Sequence, residues 1–252
     1  MAQDKRRKYR LTICYDGTRY KGWQRLKQTR ETIQDKIESV LTRLFDKAIT
    51  VDGAGRTDAG VHAKAQVCSF SAPDIETELL RQQMNRYLPD DIAVTEVMIV
   101  SDRFHARFNA VSKTYVYSLW TAQYPPVFER QYVTLVTQPV DLARMKACAD
   151  YLTGKHDFKG FCTDKTKKST VRTLQQITFQ REGDVIRCRF TGDGFLYNMV
   201  RILMGTLLEV GLGQREPESV LKVFETLDRS LAGSTAPAQG LMLESIVYVN
   251  ED

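Results

Sequence analysis

Asp58 stands in the stretch Gly53-Ala-Gly-Arg-Thr-Asp-Ala-Gly-Val-His62, the most unusual in the chain. Three glycines in eight residues open backbone conformations that other residues avoid. Arg56 and Asp58 are two apart, so they share a face wherever the chain runs extended. A guanidinium beside a carboxylate keeps it ionised, and an ionised, positioned carboxylate is a nucleophile or a base. The alternative is a plain turn, in which an Asp side chain accepts bonds from nearby backbone N–H groups. Phosphate cradling is not indicated. Asp58 stands where the dinucleotide fingerprint needs its third glycine, and no Gly-Lys-Ser/Thr follows for a P-loop.

Two further places could do chemistry. Arg201 sits among Leu196, Met199, Val200, Ile202, Leu203, Leu207 and Leu208, a run that is apolar nearly all round and therefore expected to be buried. A buried guanidinium needs a partner, and Asp58 is the expected one. The alternative is an Arg at the polar edge of that run, beside Tyr197 and Asn198. Tyr115 and Tyr117, in Lys113-Thr-Tyr-Val-Tyr117, face one side of a strand. Such rings can stack on an unstacked base, or they can be core residues with satisfied hydroxyls.

The elements that must position these residues follow from hydrophobic period. Tyr9–Tyr15 reads as a strand, Ile33 to Phe45 as an amphipathic helix capped by Thr29 or Thr32, and Ala48–Asp52 and Ala65–Phe70 as strands around the glycine-rich loop. Glu76–Leu88 reads as a helix and Ala93–Val100 as a strand. The order β-α-β-β-α-β then recurs: strand Thr114–Trp120, helix Leu142–Leu152, hairpin Thr173–Gln180 with Val185–Thr191, helix Phe195–Val210, helix Pro217–Leu227 and strand Met242–Val249. The expected fold is α+β: two split β-α-β (ferredoxin-like) halves joined through a continuous, mostly antiparallel sheet, with a cleft between them. Residues 1–105 form the half with the Arg-Thr-Asp loop, and 106–252 the half with Tyr115 and the Arg201 helix.

Composition narrows the class. With 42 % hydrophobic and 27 % charged residues among 252, disorder and collagen-like repeats are excluded. The best membrane candidate, Phe195 to Val210, is interrupted by Asn198, Arg201 and Glu209, so no membrane association and a cytoplasmic location are expected. Five cysteines without a C-x-x-C pair and three scattered histidines suggest reduced thiols, with no disulfide framework and no metal. Net charge is +5, but ten Lys and Arg in the first thirty residues face only Asp4 and Asp16. A second basic patch runs from Lys155 to Arg172. Basic faces on a near-neutral chain suggest a polyanionic partner, or else a solvated surface with a loose N-terminal tail.

Seven blocks carry a resemblance. They are Tyr15-Asp-Gly-Thr-Arg-Tyr-Lys-Gly-Trp-Gln-Arg25, Gly55-Arg-Thr-Asp-Ala-Gly-Val-His-Ala63, Phe104-His-Ala-Arg-Phe108, Lys113-Thr-Tyr115, Val171-Arg-Thr173, Phe195-Leu-Tyr-Asn-Met-Val-Arg201 and Thr235-Ala-Pro-Ala-Gln-Gly240. In this order, over roughly residues 11 to 249, the chain resembles the TruA family of tRNA pseudouridine synthases. The resemblance implies the pseudouridine synthase fold and a homodimer. It implies isomerisation of uridine to pseudouridine in the anticodon stem-loop of tRNA, at positions 38, 39 and/or 40, without cofactor or metal. By motif, Asp58 is the catalytic carboxylate, Arg56 and Arg201 are its cationic neighbours, and Tyr115 stacks on the target base. The phosphate-binding candidates are Lys5, Arg6, Arg7, Lys8, Arg19, Lys21, Arg25, Arg107, Lys165, Lys167, Lys168 and Arg172. Lys5 to Lys8 would serve as an RNA-binding tail in a bacterium or as a nuclear signal in a eukaryote. Leu26 stands where the family usually has Gln, and the stretch before Val171 is unusually rich in Lys; both bear on which uridines are chosen. Two other functions fit parts of the pattern. One is a non-catalytic tRNA-binding module. The other is a glycosidase or nucleosidase using Asp58 with Asp52 or Asp193, which needs carboxyl groups about 5–9.5 Å apart.

Overall fold

The computed structural model describes residues 6–164, 166 and 169–249. In chain order the elements are β1 (Arg6–Tyr15), α1 (Ile33–Phe45), β2 (Asp52–Gly53), β3 (His62–Pro73), α2 (Thr77–Tyr87), β4 (Ile92–Val100), β5 (Ala110–Trp120), β6 (Thr134–Leu135), α3 (Leu142–Leu152), β7 (Gly154–Asp157), β8 (Val171–Glu182), β9 (Val185–Gly192), α4 (Met199–Gly211), α5 (Ser219–Thr226) and β10 (Leu241–Tyr248), with three short 3-10 turns. The class is α+β, as expected. The chain divides into two compact units: residues up to Val111 together with those from Leu243 onward, and Ser112–Met242.

In the first unit the strand order is β4-β1-β3-β10, with β2 paired to the side on β3. β1 runs antiparallel to both β3 and β4. Alternate residues Tyr9, Leu11, Ile13 and Tyr15 turn into the core, the period-2 pattern of a strand buried on one face. The apolar stripe of α1, Ile33, Ile37, Val40 and Leu41, is buried. Thr32 caps this helix, its hydroxyl accepting the Asp35 N–H at 3.3 Å. In α2, Leu80 and Met84 are buried, and Asn85 bonds both backbone groups of Val94 in β4. The strand expected at Ala48–Asp52 is cut to Asp52–Gly53. The Ile49 N–H goes to the Thr42 hydroxyl and the Val51 N–H to the buried Glu38 carboxylate, so neither is left for a strand ladder.

In the second unit the order is β5-β9-β8-β7, all antiparallel, with β6 parallel to β5. The β8–β9 hairpin turns at Gly183, where φ is +58°. Asp141 caps α3 by accepting the Ala143 and Arg144 N–H groups. Ten of the thirteen α4 residues are buried, as its apolar composition requires. The helix begins at Met199 and not at Phe195. Asn198 adopts a left-handed conformation (φ 60°), which a continuing right-handed helix cannot contain.

Candidate active site

The Asp58 loop, residues 54–61, joins β2 to β3 and forms no ladder of its own. Its backbone is held from outside. Ala54 N–H donates to the Val67 carbonyl at 2.8 Å, and the Gln66 amide donates to the Gly55 carbonyl at 3.1 Å. The Thr57 carbonyl accepts the Trp23 N–H at 3.0 Å, and Gly60 N–H donates to the Tyr20 carbonyl at 3.3 Å. Val61 N–H closes a turn onto the Asp58 carbonyl at 3.1 Å. Gly60, third in that turn, has φ +78°, the value a type II turn demands there. Burial alternates: Arg56 is exposed, Thr57 buried and Asp58 half-buried. Arg56 and Asp58 thus occupy the outer side of the strip, as the two-residue spacing requires.

The frame around this loop is the segment from Tyr15 to Trp23. Gly22 (φ +94°) lies flush on the Thr57–Asp58 peptide, where a Cβ would stand 2.6 Å from the Thr57 carbonyl oxygen. Gly17 presses on Val61, and its N–H donates to His62 Nδ1 at 3.1 Å. The Trp23 indole, 2 % exposed, packs against Gly53. Tyr15 and Thr57 share a buried hydroxyl–hydroxyl bond of 2.8 Å. In sequence this segment is the first of the seven blocks, with individual roles expected only for its basic residues Arg19 and Lys21. The signal available for its framing role was the pair Gly17 and Gly22 around Tyr20, with Tyr15 and Trp23 just outside them.

In the second unit Arg201 lies in the first turn of α4 and is half-buried, between the two expectations of full burial and an exposed edge. Its Nε donates to the Ala236 carbonyl at 2.8 Å, and Nη1 to the Asn198 side-chain oxygen at 3.1 Å. The Ala236 N–H returns a bond to the Arg201 carbonyl at 3.0 Å. This explains the Thr235–Gly240 motif: it is a strap across α4. The Pro237 carbonyl and Thr134 hydroxyl hold the hydroxyl of Tyr117, which is fully buried and raised to about 12 by that burial. Tyr117 is therefore a satisfied core residue. Tyr115, 7 % exposed, meets the Phe195 ring edge-on at 5.1 Å.

Several basic candidates turn out to be engaged. Arg6, Arg7 and Lys8 open β1 instead of forming a tail; Arg6 donates to the Ser71 carbonyl and Arg7 pairs with Asp74. Arg19 pairs with Asp91, and Arg25 with the buried Glu38 at 2.6 Å. Arg172 donates to the Val171 carbonyl. Lys21 and Arg107 are exposed. Lys5, Lys165, Lys167 and Lys168 lie outside the described residues. Asp193, one of the alternative second carboxylates, accepts the Thr173 N–H, while Asp52 is exposed in β2. Among the described residues no group of three His, Cys, Asp or Glu could hold a metal ion. No helix among the described residues is long and apolar enough to cross a membrane. The five thiols are free, and burial pushes Cys148 and Cys188 up to about 12.

Comparison with known proteins gives this arrangement a family. The model of the tRNA pseudouridine synthase family matches residues 12–109 and 148–249. A tRNA pseudouridine synthase A of Bacillus sp. (strain KSM-64) is 48 % identical over 95 % of this chain and 99 % of its own length. The tRNA pseudouridine synthase A of Bacillus subtilis (strain 168) is 42 % identical over 96 % of this chain and 99 % of its own. A solved chain of a Cbf5-Nop10-Gar1 complex aligns with a TM-score of 0.36 at 11 % identity, over 79 % of this chain and 45 % of that one. A family match across both units, with full-length relatives, establishes that the chain belongs to the tRNA pseudouridine synthases, enzymes that isomerise uridine in tRNA.

Proposed function

We propose that the substrate is the anticodon stem-loop of tRNA, at positions 38, 39 and/or 40, and that Asp58 is the catalytic carboxylate. The observation that carries this reading is the Asp58 loop itself. A half-buried carboxylate, on the outer side of a strip whose backbone is bonded at five points, is pre-oriented for chemistry. The reaction breaks the C1′–N1 bond, turns the uracil and joins C5 to C1′; the C5 hydrogen leaves as a proton and the freed N1 takes one up. No electrons are gained or lost and no water is consumed. Asp58 acts as nucleophile or base in that sequence. Arg56, exposed beside it, supplies positive charge, and the family resemblance assigns Arg201 the same kind of role.

A paired uridine must leave its stack first, at a cost of a few kcal/mol. The resemblance assigns Tyr115 to the extruded base; an aromatic–base contact is worth about 1–3 kcal/mol. Lys21 and Arg107, exposed, are the clearest phosphate contacts of the candidate set. Homodimerisation and a cytoplasmic location belong to this reading on the same resemblance. Family membership favours isomerisation over both the binding module and the glycosidase.

The test is tritium release from tRNA transcripts carrying [5-³H]uridine, compared with transcripts whose anticodon-arm uridines at those positions are replaced by cytidine. Release from the first and none from the second is expected. Equal release from both would move the substrate site elsewhere in the tRNA, and free uracil as product would return the glycosidase.

A further inference from the structure

The contacts on the Asp58 loop are unequal. Most hold backbone groups. One holds a side chain next to the carboxylate: the Thr57 hydroxyl, bonded at 2.8 Å to the Tyr15 hydroxyl. Both residues are buried, Tyr15 at 5 % and Thr57 at 6 % exposure. The same Thr57 peptide is pinned by the Trp23 N–H and backed by Gly22, so it cannot slide. In an extended strip neighbouring side chains point to opposite sides. A Thr57 side chain turned inward therefore turns Asp58 outward.

We propose that the Tyr15–Thr57 hydroxyl pair is a positioning device for pseudouridine formation, which aims the Asp58 carboxylate by locking the residue before it. This rests on the reading of Asp58 as the catalytic carboxylate. Burial raises the Tyr15 hydroxyl well above an ordinary phenol, so the group stays neutral across the working pH range and serves as a hydrogen-bond partner, not an acid or base. Tyr15 and Thr57, both buried, are thus positioning residues that act through Asp58.

The experiment measures single-turnover tritium release, KM for tRNA and thermal unfolding for Tyr15→Phe, Thr57→Val, their double variant and Thr57→Ser, with Asp58→Asn in parallel. Tyr15→Phe and Thr57→Val are each expected to slow turnover about ten- to hundredfold, the usual result of misplacing a reacting group by about an ångström. KM should stay within about twofold, because the pair acts on the reacting geometry and not on general RNA binding. The double variant should be no slower than Tyr15→Phe, since both singles remove the shared bond and Tyr15→Phe also loses the contact of its hydroxyl with Gln66. Thr57→Ser, which keeps the hydroxyl, should be near wild type. The proposal is overturned if Tyr15→Phe turns over at the wild-type rate, if the two losses multiply, if Thr57→Ser is as slow as Thr57→Val, or if the rate loss vanishes once corrected for the folded fraction. An inactive Asp58→Asn beside a fully active Tyr15→Phe would overturn the positioning role alone. A fully active Asp58→Asn would overturn the catalytic reading beneath it.

Discussion

The Asp58 loop of the first unit and the Arg201 turn of the second solve one problem in different ways. Each must hold a charged side chain at a set place. Each does so where glycines let backbone meet backbone: Gly22 against Thr57–Asp58, and Gly205 against Ser234. The loop has no repetitive structure of its own and borrows its bonds from Tyr15, Tyr20, Trp23, Gln66 and Val67. The Arg201 turn belongs to a thirteen-residue helix, ten of whose residues are buried, and the Thr235–Gly240 strap is added on top. A borrowed shape has few contacts to lose before it drifts, whereas a buried helix keeps its own ladder when one outside contact goes. Damage to the first region should appear as lost rate, and damage to the second as lost stability.

The strongest break in that comparison is Gly22→Ala. The new Cβ would meet the Thr57 carbonyl at 2.6 Å, at a positive φ that Ala resists, and the loop must shift. We expect turnover to fall about a hundredfold, measured by tritium release per folded molecule. A rate near wild type would show that the loop does not depend on its frame. Gly205→Ala is next. Its Cβ would stand 1.9 Å from the Ser234 carbonyl oxygen, an overpacking that should cost about 1–3 kcal/mol in urea unfolding. Turnover per folded molecule should change less than about threefold, because the helix ladder fixes the Arg201 backbone and the Asn198 side chain still holds its Nη1 when the strap shifts. A hundredfold loss there would erase the contrast. The mildest test is Tyr117→Phe, which removes the hydroxyl shared with Thr134 and Pro237. We expect a stability loss of about 1 kcal/mol and an unchanged rate, the opposite of the outcome for Tyr15→Phe.

What could be read from the sequence follows the same division. Helices α1 and α3 were legible to the residue, because a 3.6-residue apolar period is a local signal; the cap of α1 was narrowed only to Thr29 or Thr32, and the Asp141 cap of α3 was not singled out. The start of α4 was not, because the apolar period runs on through Asn198, whose residue type, tolerant of left-handed φ, was the available signal. The strand expected at Ala48–Asp52 is shorter in the structure, because its apolar residues pack while the Ile49 and Val51 amides are taken by Thr42 and Glu38. The Arg-Thr-Asp loop stood out by composition, yet the job of Gly17, Gly22 and Trp23 depends on contacts made some thirty to forty-five residues along the chain. The basic candidates were visible as charge, but Asp74 and Asp91, which occupy Arg7 and Arg19, are distant in sequence. Composition counts charges and is blind to their partners.

The central claim is that Asp58 carries out the isomerisation. Its most direct test is Asp58→Asn, which keeps the size and shape of the side chain and removes its charge. Tritium release from [5-³H]uridine tRNA and tRNA affinity are measured on the same preparation. The account predicts affinity within about threefold of wild type, because phosphate contacts dominate binding, and no release above background. Release by Asp58→Asn at the wild-type rate would contradict it.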